Sequence, residues 1–134
     1  MLAGARRTGL GATVLALLSA APTHALDVPS GQPVDLHEVL IDEVGPQTYL
    51  RFRFIAPDIA TDDAALDVEA TTLDMQHLCE TFALDYMTQY ALSGDTIVIS
   101  LADKPTAFGV PDPDATQYFE VFTPVDTFCI WEEF

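Results

Sequence analysis

The first 25 residues limit everything that follows them. Met1 to Ala25 opens with Arg6 and Arg7, runs through the apolar stretch Leu10 to Leu18, and closes on Ser19-Ala20-Ala21-Pro22-Thr23-His24-Ala25. A basic start, a short apolar core and small residues before a cleavage point form the pattern of a secretory signal peptide. The apolar core is too short to anchor in a bilayer, which takes roughly 20 residues. Cleavage after about Ala25 predicts a mature chain of residues 26–134 in the periplasm or outside the cell, with no membrane insertion once the leader is gone. The 109 residues left are enough for one domain and not two.

The leader holds two of the five basic residues and none of the 21 acids, so its loss takes the net charge from −16 to −18. Arg51, Arg53 and Lys104 are then the whole positive inventory. Nucleic-acid binding is excluded on this ground, because Lys and Arg neutralising phosphates supply most of that affinity. Docking on anionic lipid headgroups fails for the same reason. The acids run from Asp27 to Glu133 without a block, which suits a solvated, self-repelling surface. A cationic protein partner or a divalent cation is the other use for them.

Export also gives meaning to Cys79 and Cys129, the two cysteines of the chain. A single pair in an oxidising compartment predicts one disulfide. The loop it closes, about 51 residues, is worth on the order of 4 kcal/mol in the chain-entropy treatment. No Cys-x-x-Cys spacing points to a redox or metal pair instead.

Hydrophobic periodicity predicts an α+β fold, β-β-α-β-(β)-β-β: a small antiparallel sheet of about five strands with one principal amphipathic helix packed on one face. Residues 34–43 and 48–56 read as a hairpin around Gly45-Pro46-Gln47, with Leu50, Phe52 and Phe54 pointing one way and Tyr49, Arg51, Arg53 and Ile55 the other. A helix is predicted over 67–91, with a kink at Ala83-Leu84-Asp85 and a stop at Ser93-Gly94-Asp95. Its inward stripe would hold Val68, Thr72, Met75, Leu78, Cys79, Phe82 and Tyr86, all within about 60° of one direction. The β-branched run 96–101 is a buried strand. A short strand is expected at 106–110, one helical turn capped by Asp112 and Pro113, and final strands at 117–123 and 127–131. With Cys79 on the helix and Cys129 on the last strand, the disulfide would pin helix to sheet.

Motifs for catalysis are thin. His37-Glu38 begins a His-Glu-x-x-His zinc motif, but Ile41 stands where the second histidine belongs. Ser30, Ser93 and Ser100 lack the Gly-x-Ser-x-Gly elbow. Met75, His77 and Cys79 would share a face only on a strand; on a helix His77 turns away. Asp112, Asp114, Thr116 and Glu120 lack the glycine of a calcium loop, since Gln117 fills that position. Arg51 and Arg53, two apart on one strand, offer an anion patch, or pair across the hairpin with acids such as Asp35 or Glu38. No cofactor, metal ligand set or catalytic residue is assigned. The terminal Phe134 resembles that of outer-membrane barrels, yet 109 residues that include a helix cannot supply eight strands of about ten residues each.

Several stretches carry a resemblance: Ser30-Gly31-Gln32-Pro33, Leu50-Arg51-Phe52-Arg53-Phe54, Ile99-Ser100-Leu101, Ala107-Phe108-Gly109, Asp114-Ala115-Thr116-Gln117, Phe119-Glu120 and Cys129-Ile130-Trp131-Glu132. On these the chain resembles small exported alphaproteobacterial proteins of an uncharacterised domain-of-unknown-function family. The resemblance implies an exported single domain and brings no activity or site residue. Some such proteins are called acetolactate synthase, whose catalytic subunit is several times longer, cytoplasmic and dependent on thiamine diphosphate, which does not suit an exported chain of this size.

The functional expectation is a non-enzymatic module that binds a partner protein or a small ligand through a sheet face or edge. The alternatives are a small hydrolase or lyase using carboxylates with His37 or His77, and a divalent-cation-binding protein.

Overall fold

The computed structural model describes residues 25–133, so the signal-peptide reading lies almost wholly outside the described residues. Five strands, β1 (Asp35–Val44), β2 (Gln47–Ile55), β3 (Thr96–Ala102), β4 (Gln117–Val125) and β5 (Phe128–Glu132), form one sheet in chain order. Between β2 and β3 lie α1 (Val68–Leu78), a π-helical turn (Cys79–Ala83) and α2 (Leu84–Gln89), joined by continuous helical backbone. The result is the expected small α+β fold, its sheet mostly antiparallel.

One pair departs from that pattern. β2 and β3 run parallel, in register from Tyr49 opposite Thr96 to Ile55 opposite Ala102. The helix explains it: a crossover over one face returns the chain to the end where β2 began, and parallel neighbours need such a connection. The remaining pairs are antiparallel. Two are hairpins with two-residue turns. Gly45 (φ +60°) supplies the left-handed position in the first and Asp126 (φ +57°) in the second, Asp being among the few side-chain-bearing residues that visit it readily.

Alternate residues of the three central strands point at the helix, and most of them are sealed there. Leu50, Phe52, Phe54, Ile97, Ile99, Leu101 and Phe122 are all buried, against Met75, Leu78, Cys79 and Ala83. Phe82 and Tyr86 reach down from the helix to Phe52 and Phe54 in edge-to-face contacts of 5.5–6.3 Å between ring centres. Such pairs add to the burial of apolar area. Cys79 and Cys129 are joined by a disulfide, Cα–Cα 6.2 Å, tying the π-turn to β5.

The predicted stripe holds in its second half and slips in its first. Val68 is 66% exposed, while Thr71, Asp74, Met75 and Leu78 are the buried positions of α1. The π-turn, which starts at Cys79 and precedes the expected kink, inserts an extra residue and so rotates the inward face between α1 and α2. Asp74 is fully buried because the chain before β1 wraps over it: its carboxylate accepts from Ser30 N (2.9 Å), Ser30 Oγ (2.5 Å) and Gln32 Nε2 (2.8 Å).

Three other expectations are corrected. The helix ends at Gln89, with Ala91 (φ +53°) in the left-handed position, and Gly94 serves a different need: a Cβ there would stand 2.8 Å from Leu50 Cγ. Residues 106–110, flanked by Pro105 and Pro111, form a turn closed by Val110 N to Ala107 O (3.2 Å) instead of a strand. Asp112 caps a turn instead of a helix, accepting from Asp114 N at Oδ1 (3.0 Å).

Candidate functional site

The sheet has a second face, and the helix does not cover it. Arg51 and Arg53 of β2 point there, beside Val98 and Ser100 of β3 and Phe119 and Val121 of β4. Over one end of this face lies the loop between β3 and β4. Its neck is closed by Asp103 N donating to Thr116 O (3.0 Å) and Thr116 N donating to Asp103 Oδ1 (2.8 Å). Between loop and sheet is a cavity of about 350 Å³, at the small end of ordinary ligand sites. The loop contributes Ala107, Phe108, Val110 and Pro111 to its wall; the strands contribute Arg51, Arg53, Val98, Ser100 and Phe119, with Gln117 and Tyr118 at the margin.

The two arginines do different work. Arg53 is only 9% exposed. Its Nη1 donates to Glu38 of β1, and its Nη2 donates to Thr106 O (3.0 Å) and Thr106 Oγ1 (2.9 Å), so it fastens the loop to the sheet. Gln117 Nε2 adds a second tie to the Thr106 hydroxyl (2.8 Å). Among the described residues Arg51 pairs with Asp42 alone: Nε donates to Oδ2 at 3.1 Å and Nη2 lies 3.0 Å from the same oxygen. Its guanidinium carbon lies 5.2 Å from the centre of the Tyr49 ring and 5.2 Å from that of Phe108, which also approaches Arg53 at 5.6 Å. These are cation–π distances.

The cross-hairpin pairing is observed, Arg53 with Glu38 as expected and Arg51 with Asp42 in place of Asp35, and the same two side chains share a cavity. Asp35 lies opposite Ile55, at the far end of the strand.

The remaining candidates are dispersed. His37 sits where the β1–β2 register slips, exposed on the edge strand. His77 is on α1, on the other side of the sheet, and Met75 is core. Cys79 and Cys129 are bonded to one another. Among the described residues no group of three or more His, Cys, Asp or Glu side chains is placed to hold a metal ion. The loop residues were missed as a site: the run 106–110 reads as a short strand, and Pro105 and Pro111 on either side are the local hint of a fixed loop.

Compared with known proteins, residues 12–134 match the Family of unknown function (DUF6497). The chain belongs to that family. No curated protein and no solved structure matches it significantly. For this DUF6497 member the site geometry must carry the functional argument.

Proposed function

We propose that this protein is an exported, non-enzymatic binding module that takes a small anionic ligand on the open face of its sheet. One observation carries the reading: the two arginines of β2 meet at Phe108 in the same open-face cavity, in a chain of net charge −16 with five basic residues. A surface shaped only for solubility has no reason to gather its scarce cations under an aromatic ring. Catalysis gains no support from this site: Ser100 and Tyr118 are its hydroxyl groups, and no His, Cys, Asp or Glu is among the lining residues to activate them.

The test is a titration of the ¹⁵N-labelled protein, disulfide intact, with acetate, benzoate and inorganic phosphate. Saturable shifts of the Val98, Phe108 and Gly109 amides are expected with at least one anion, and their loss in Arg51→Gln. No saturable shift at these amides with any of the three would overturn the reading. Cell fractionation checks the export half: the protein should be released with the periplasm, running faster on a non-reducing than on a reducing gel.

A further inference from the structure

The donors left open on Arg51, the charge around it and the walls beside it narrow the class of anion. A guanidinium offers two edges to a carboxylate, one through Nε and an Nη, the other through both Nη nitrogens. Asp42 occupies the Nε/Nη2 edge of Arg51. Tyr49 and Phe108 stand against the group at 5.2 Å. Among the described residues Nη1 has no hydrogen-bond partner, so the Nη1/Nη2 edge is where a new partner can enter, in the bidentate geometry that fits a planar carboxylate.

Charge decides between monoanion and dianion. Arg51 and Arg53 are each matched by one carboxylate, Asp42 and Glu38, so the four groups sum to zero. A monoanion adds one negative charge to that cluster; a phosphate monoester adds close to two, inside a chain already at −16. No net positive charge is left to offset either, so the Coulomb cost grows with the second charge.

The walls decide the rest of the ligand. Val98, Val110, Pro111 and Phe119 line the cavity beside Arg51. Phe119 and Val110 are 66% and 60% exposed. Val121 continues the apolar surface on β4 in the row that starts at Arg51 and Val98. A ligand that is all charge would leave this surface wet; one with an apolar tail would cover it, at roughly 25 cal/mol per Å² removed from water.

We propose that the cavity binds an amphiphilic monocarboxylate, its carboxylate on the Nη1/Nη2 edge of Arg51 and its apolar tail between Phe108 and Phe119; this rests on the anion-binding reading above. Arg51 is the ligand contact. Arg53 positions the loop that holds Phe108.

Octanoate is the probe, with its neutral analogue octanamide, octyl phosphate and acetate as comparisons. Calorimetry and ¹⁵N titration of the intact chain should show octanoate binding at the Val98, Phe108 and Phe119 amides at least tenfold tighter than any of the three. Arg51→Gln should lower octanoate affinity at least tenfold while leaving octanamide unchanged. Phe119→Ser, a change at an exposed position, should weaken octanoate and leave acetate alone. Equal binding of octanamide would remove the carboxylate from the proposal, and tighter binding of octyl phosphate would replace monoanion by dianion. Tighter binding of acetate would remove the tail. In the last two cases the anion site itself stands. Silence from octanoate, octyl phosphate and acetate alike would sink both readings together.

Discussion

The two faces of this sheet are built from the same five strands and solve different problems. On the helix side, Phe52, Phe54, Ile99, Leu101 and Phe122 are removed from water and clamped by the Cys79–Cys129 disulfide. On the other side, residues one step along the same strands, Arg51, Arg53, Val98 and Phe119, are sheltered only by a loop. A strand alternates its side chains strictly, so one sequence can specify a packed core and a binding surface at once. The difference lies in what each face can tolerate losing. The helix face carries stability, and the open face is where the proposed ligand would sit.

Substitutions should separate the two in urea unfolding. Phe52→Ala removes a fully buried ring that touches Phe82 and Tyr86, and should cost about 3–5 kcal/mol. Replacing both Cys79 and Cys129 by Ala should cost about 4 kcal/mol, since a bridge spanning 50 positions no longer restrains the unfolded chain. Asp74→Ala strands the Ser30 and Gln32 donors and should cost about 2–3 kcal/mol. Arg53→Gln, on the open face but buried, should cost about 1–2 kcal/mol through its ties to Glu38 and Thr106. Phe119→Ser should stay within about 0.5 kcal/mol of the parent. A large loss at Phe119, or none at Phe52, would erase the distinction between the faces.

Local patterns were readable and long-range ones were not. The alternation Leu50, Phe52, Phe54 against Arg51 and Arg53 sorted β2 onto its two faces, because strand periodicity is a property of neighbours. The parallel pairing of β2 with β3 is set by where the crossover lands, which no short window contains. Asp74 reads as a solvent-facing helix residue until Ser30 and Gln32, more than 40 positions earlier, are seen to cover it. Arg51 pairs with Asp42 and not Asp35 because it sits opposite Leu40, two residues from Tyr49, the residue directly opposite Asp42 on the same face. Phe108 reads as part of a short strand; its place over both guanidinium groups depends on Arg53 holding Thr106.

One small arrangement at the rim of the sheet has a wider consequence. Cys129 of β5 lies opposite Pro124, which has no N–H to donate. The Cys129 N–H donates to Glu80 Oε2 (3.0 Å), its carbonyl accepts from Gln76 Nε2 (2.8 Å), and Gln76 Nε2 also lies 3.1 Å from Glu80 Oε2. Exposed strand edges are templates on which further chains add and grow into fibres. Here two helix side chains occupy the backbone groups of the second residue of a five-residue outer strand, so an incoming chain finds its ladder interrupted near its start. The helix that builds the core thus also blocks part of the β5 edge against an added strand.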